Sequence, residues 1–289
     1  SLVGHQLRVT VSIGIALYPH DGADFTNLLK NADAALYQAK QDGRNTRAFY
    51  AREMNIATFE RLVLETELRK AIAAGQLRAY YQLKVRLGDG QRIGAEALVR
   101  WLHPDHGLIP PGRFIPMAET SDLIVDLGDW MLAEVCQQLA KWRNAGLPQL
   151  TVAVNLAARH FRDAGLVARI QSLLTTYHLP PQVLELELTE SSLLETGPQT
   201  AETLLALERL GVGLAIDDFG TGYSSLSYLK RLPLTALKID QSFVRDLVSD
   251  PDDRMLAATI VALGHGLGLK VVAEGVETAE LGAELLALG

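Results

Sequence analysis

Cysteine is almost absent: Cys136 is the only one in 289 residues. That excludes a disulfide framework and a thiolate metal cluster. Basic residues are also short, with 27 Lys and Arg against 34 Asp and Glu and a formal net charge of −7. Long nucleic acid needs a basic face to neutralise its phosphates, so it is excluded as a partner. A small phosphorylated ligand held through cations is not. No apolar run reaches the roughly 18 residues that span a bilayer. The opening SLVGHQLRVTVSIG does not have the charged-then-apolar layout of a signal peptide. We therefore expect a cytoplasmic setting and no membrane contact from this segment, although a longer protein containing it could still be membrane-tethered.

What the chain does have is a core, with 48% hydrophobic residues, and polar groups at the ends of its apolar runs. Six strand-like runs finish this way. They are GAEALVRW with Glu96, LTVAVNLA with Asn155, VLELELTE with Glu187 and Glu190, VGLAIDDF with Asp217 and Asp218, ALKID with Lys238 and Asp240, and KVVAEGVE with Glu274 and Glu277. A buried parallel strand should read as continuous Val, Ile, Leu and Ala, and a carboxylate there costs several kcal/mol unless paired or metal-bound. Six runs ending alike point to one polar site where strand ends converge.

Residues 1–50 read apart from the rest. LRVTVSIGIALYP is a strand pattern, and ADFTNLLKNADAALYQAKQDG is an amphipathic helix with Leu28, Leu29, Ala32, Leu36 and Ala39 on one face and Gly43 as its stop. One strand and one helix cannot enclose a core, so we expect a domain fragment. Residues 51–61 read as a helical linker region and 62–289 as the main domain. There, strands near 79–85, 93–101, 150–156, 183–189, 212–217, 235–239 and 269–273 alternate mostly with helices. The clearest helix follows Ser121, with Ile124, Leu127, Met131, Val135, Leu139 and Trp142 at helical spacing. Repeated strand–helix–strand units imply a parallel sheet. The expected class is α/β, a TIM-like (β/α)8 barrel with its site at the C-terminal strand ends. LGDGQR is too short for a crossover helix, so the first two strands should form an antiparallel hairpin. The pattern stops at LLALG after the seventh strand, and the last barrel strand is expected beyond it.

Glu96, Glu187, Asp217, Asp218 and Glu274 place five carboxylates near one point. Two charges about 4 Å apart interact by roughly 4 kcal/mol at an effective dielectric of 20. With Lys238 the cluster carries −4, which two divalent ions would cancel. Oxygen ligands without Cys or His suit Mg2+ or Mn2+ better than Zn2+. Adjacent Asp217 and Asp218 would let one carboxylate bridge two ions, and Asn155 adds an amide oxygen. Such a site with a lysine suggests in-line displacement at phosphorus by a bridging hydroxide. Carboxylates at strand ends also serve as helix N-caps, so Asp240 and Glu277 stay open between the two uses. Glu190, three residues beyond Glu187, is read as a pin for the DDFGTGYSS loop.

Other signals are read blandly. GHGLGL at 264–269 precedes a strand and is read as a helix stop and turn. GTGYSS at 220–225 is read as a mobile loop. His103 and His106, in HPDHG, are placed at the surface without a third metal ligand. Cys136 is a small core residue.

GAEALVRW, VNLA, ELTES, DDFGTGYSSLSYL, LKID and AEGVET, in this order, resemble the motifs of EAL-domain phosphodiesterases, which hydrolyse cyclic di-GMP to linear pGpG in bacterial second-messenger signalling. The resemblance covers about residues 60–289. It implies metal binding by Glu96, Asn155, Glu187, Asp217 and Asp218, and gives Lys238 and Glu274 the placing and activating of the attacking water. It gives Glu190 the anchoring of the loop from Phe219 to Ser225, which in the family links the metal site to a dimer interface. It therefore implies a homodimer. Gln82 and Arg100 match substrate-contacting positions. Leu83 stands where the family usually has proline, and the family's closing Gln-Gly motif lies past the last residue. VSIGIALYP, LLKNADAALYQAK and GRN resemble the end of a GGDEF domain without its signature motif. Binding of cyclic di-GMP without turnover is the second reading. A Schiff-base lysine at Lys238 is the third, opposed by its acidic neighbours.

Overall fold

From Leu77 onward the strand patterns assemble into one sheet. The computed structural model describes residues 10–41, 43, 45–194, 198–222 and 229–289. The chain divides into two compact units, Ser1–Lys70 and Ala71–Gly289.

The first unit pairs β1 (Ile13–Ile15) in parallel with β2 (Arg47–Phe49), joined through the helix Phe25–Gln41. The expected helix is present, and Gly43 follows it with φ 96°, the left-handed turn that glycine favours. Three details differ from expectation. The strand is only three residues long, the expected positions 7–9 lying outside the described residues, and β2 was not foreseen. Leu29 is exposed, while Ala35, Ala39 and Ala48 form the small buried cluster. The helix Arg52–Ala73 then runs on through the region expected as a linker, and Gly75, with φ 65°, ends it.

In the second unit, β3 (Leu77–Val85), β4 (Arg92–His103), β5 (Gly107–Ile109), β6 (Thr151–Asn155), β7 (Leu184–Thr189), β8 (Gly213–Phe219), β9 (Ala236–Ile239) and β10 (Lys270–Ala273) lie in the order β10-β9-β8-β7-β6-β4-β3, with β5 on β4. β3 and β4 are antiparallel, as the short turn requires, and every pair from β4·β6 to β9·β10 is parallel. The short strand β5 is an addition to the expected pattern. It folds back on β4 through the HPDHG turn. This corrects the surface placement of His103. The residue is buried, and its ring Nδ1 accepts the backbone N–H groups of Asp105 and His106, at 3.1 and 3.2 Å.

The strands alternate more strictly than continuous burial implied. Val152, Val154, Leu184, Leu186, Leu188, Leu214, Ile216, Leu237 and Ile239 join the large apolar core with the helices. Alternate positions point to the opposite face. There the sequence supplies small residues (Ala153, Ala215, Ala236) and the charged ones. The helix Leu123–Asn144 seats Leu127, Met131, Val135, Cys136 and Leu139 in the same core. Lys84 on β3 reaches Glu187 on β7, so the sheet curls until strands three places apart share side-chain contacts.

Candidate active site

Lys238 organises the site. It is 1% exposed, and its Nζ lies 3.0 Å from Glu96 Oε2, 2.8 Å from Glu187 Oε2, 3.0 Å from Asp217 Oδ1 and 2.6 Å from Glu274 Oε1. Carboxylates from β4, β7, β8 and the residue after β10 thus meet at one ammonium. Burial would lower the Lys238 pKa, but the four carboxylates outweigh it and hold the group well above the ordinary lysine range. A neutral amine, as a Schiff-base nucleophile needs, is strongly disfavoured.

Asp217 and Asp218 reach the site through a break in β8. Ile216 pairs with Leu237 and Phe219 with Ile239, so the two aspartates oppose Lys238 alone. This is a β-bulge. In a regular strand the neighbours would face opposite sides. Here Asp218 adopts φ 53°, its N–H bonded to Asp217 Oδ1 at 2.9 Å, and both carboxylates face the cluster. Oxygens of Glu96, Glu187 and Asp217 lie within 4.8 Å of one another, and so do those of Asp217, Asp218 and Glu274. Each group is spaced to hold a metal ion, and Asp217 belongs to both. The donors are all oxygens, which fits a hard divalent cation. Asn155 joins by donating from Nδ2 to Glu96 Oε1 at 2.7 Å.

Burial pushes the Glu187 carboxyl up to about 7, with Lys238 and Lys84 pulling the other way and Glu96 adding to the rise. Burial, then the charges of Asp217, Asp240 and Glu274, push Asp218 up to about 6. Glu274 is raised too, by burial against the pull of Lys238. A site that raises several carboxyls together favours cations or protons over bare charge.

The remaining expected residues separate. Glu190 is buried and its Oε2 accepts N–H groups of Gly220 at 2.9 Å and Gly222 at 3.3 Å, pinning the start of the loop; residues 223–225 lie outside the described residues. Asp240 caps the helix Gln241–Arg245 through Ser242 N at 2.8 Å, the N-cap use, and also hydrogen-bonds Asp218, but it belongs to neither group of carboxylates spaced for a metal ion. Glu277 is exposed. Gln82 pairs in register with Glu96 and lines, with Glu96, Lys238 and Glu274, a cavity of about 760 Å3. Arg100 lies outside that lining, four residues beyond Glu96 on the same strand face, its guanidinium 5.6 Å over the Tyr80 ring. GHGLGL is the end of the helix Pro251–Gly266 and a turn at Gly268, as read.

Two residues were missed. Lys84 Nζ lies 3.0 Å from Glu185 Oε1 and 2.7 Å from Glu187 Oε1. The signal was present as alternation: Lys84 is two residues from Gln82, and Glu185 two from Glu187, on the faces that carry the site.

The curled α/β sheet thus gathers two groups of carboxylates that share Asp217 and that could hold a hard cation, in the place where barrel folds carry their sites. Residues 65–289 match the family model of the EAL domain, and the chain belongs to the EAL family. Residues 1–46 match that of the diguanylate cyclase GGDEF domain. The chain is 49% identical over 274 residues to the bifunctional diguanylate cyclase/cyclic di-GMP phosphodiesterase MucR of Pseudomonas aeruginosa, covering 95% of this chain and 40% of that protein. It is 43% identical over 275 residues to the cyclic di-GMP phosphodiesterase PdeR of Escherichia coli, covering 95% and 41%. It therefore spans about two fifths of the length of these relatives. Among solved structures, the PaMucR phosphodiesterase in complex with c-di-GMP superposes with a TM-score of 0.75 at 48% identity, covering 78% of this chain and 92% of that one. The EAL domain of FimX from Pseudomonas aeruginosa, bound to c-di-GMP, gives 0.70 at 26% identity, covering 77% and 89%.

Proposed function

We propose that this chain hydrolyses cyclic di-GMP to linear 5′-pGpG with two Mg2+ or Mn2+ ions, within bacterial second-messenger signalling. One observation carries the reading: Asp217 is common to two groups of three carboxylates around a buried lysine, in a chain whose relatives are named for this activity. Residues 62–289 would form the phosphodiesterase domain, residues 51–61 a helical connection, and residues 1–50 part of a GGDEF domain.

Glu96, Asn155, Glu187, Asp217 and Asp218 would hold the ions. When bound, two such ions supply Lewis acidity and a lowered water pKa for in-line attack at phosphorus. The protein's own groups do the rest. The Lys238 ammonium, bonded to Glu274 Oε1 at 2.6 Å, fixes that carboxylate beside the reacting centre. Glu274 orients the attacking water and accepts its proton. The water oxygen bonds to phosphorus as the bond from phosphorus to the 3′ oxygen breaks, and the proton that Glu274 took from the water passes to that oxygen, directly or through solvent, so that it leaves as a hydroxyl. Arg100 offers a planar, permanently charged donor for a phosphate, and Gln82 an amide at the rim. Glu190 holds the loop that begins at Phe219, and through it a homodimer contact.

Purified chain with Mg2+ is expected to convert cyclic di-GMP to pGpG, read by chromatography. Glu96→Ala and Asp217→Ala should each abolish turnover. Tight binding without product by the unaltered chain would favour a receptor, and near-normal rates in either variant would count against the ligand assignment.

A further inference from the structure

Lys84 is the one lysine besides Lys238 that the structure ties to the carboxylate cluster among the described residues, and it comes from the opposite wall. β3 lies at one end of the sheet and β7 three places along it, so this contact crosses the curled interior. Lys84 bonds one oxygen of Glu187 at 2.7 Å, while Lys238 bonds the other at 2.8 Å. Glu187 itself is fully buried, so no solvent competes for either oxygen. Lys84 is then balanced from behind by Glu185 at 3.0 Å. A carboxylate gripped on both oxygens cannot rotate about its own axis, and an ion ligand gains most from that constraint.

We infer that Lys84, held by Glu185, is a positioning residue for Glu187: it fixes the carboxylate plane so that the oxygen facing Glu96 and Asp217 is presented to a cation. The role rests on the metal reading above. It differs from charge balance and from structural support in the sign of its effect. Losing a positive charge beside a cation site would by itself tighten cation binding. Losing a purely structural contact would lower stability and leave affinity unchanged. Losing the constraint weakens binding.

The test is Mn2+ binding to the whole chain, by calorimetry and by electron paramagnetic resonance, without substrate. The double variant Lys84→Met/Glu185→Gln removes the pair at unchanged net charge, and Lys84→Arg guards against a folding defect. Mn2+ affinity is expected to fall about tenfold or more in the double variant, with recovery in Lys84→Arg and altered Mn2+ spectra in between. Unchanged or tighter binding in a folded double variant would overturn the inference while leaving the metal reading intact. Absence of Mn2+ binding by the unaltered chain would overturn both.

Discussion

Asp218 is the most strained residue of the site. Its φ of 53° lies in the left-handed region, which Asp and Asn tolerate better than most residues, and its carboxyl is pushed up to about 6. The sign of the consequence follows from linkage. A carboxyl whose folded pKa exceeds its ordinary 3.8 binds its proton more tightly in the folded state. Folding stability from this group is therefore present at low pH and is lost as pH rises from about 4 through about 6. Asp218→Asn removes the titration and keeps a residue suited to the backbone. In chelator, the melting temperature of the variant relative to the unaltered chain should rise between about pH 4 and pH 7. A difference independent of pH would remove the assignment. At this scale the sequence was legible where chemistry was concentrated: Glu96, Glu187, Asp217, Lys238 and Glu274 do meet. Lys84 and Glu185 were not read, because a lysine and a glutamate on strands are usually solvated, and only the curl of the sheet brings them together.

Elements explain why neighbouring acids act together. The bulge in β8 turns a two-residue periodicity into a local pair, and the backbone leaves it through Gly220. Gly220 has φ 103°, and a Cβ there would stand 2.8 Å from the Phe243 ring and 3.2 Å from Ile260. Its N–H is also held by Glu190. Gly220→Ala is expected to cost roughly 1–3 kcal/mol in urea unfolding and to lower turnover. Loss of neither would show that the bulge exit is not constrained. The alternation of strands and helices was plain from hydrophobic pattern, since Leu184, Leu186 and Leu188 mark one buried face. The bulge was not, because DDF reads identically in a regular strand. β5 was hidden for a related reason: three residues after a His-Pro turn give too short a pattern to separate from loop.

At the scale of the whole molecule, the second unit carries the site as a rigid property of its sheet. Glu96, Asn155, Glu187, Asp217, Lys238 and Glu274 stand on or directly after strands whose backbones are bonded to one another. Spacing between these side chains is then set by strand registry more than by side-chain adjustment. A larger ion with looser coordination should bind without placing the nucleophile correctly. Ca2+ is expected to support cyclic di-GMP binding, measured by fluorescence titration, with hydrolysis reduced by roughly a hundredfold or more relative to Mg2+. Equal rates in the two ions would contradict this geometry. The barrel class and the hairpin at its start were legible from turn length and element order. The parallel pairing of β1 with β2 in the first unit was not, since residues 47–49 carry little pattern of their own.

The central claim is that Asp217 is shared between two cation sites. Anomalous scattering from crystals soaked in Mn2+ measures it directly. Two peaks are expected, one among Glu96, Glu187 and Asp217 and one among Asp217, Asp218 and Glu274. A single peak, or none beside Asp217, would contradict it.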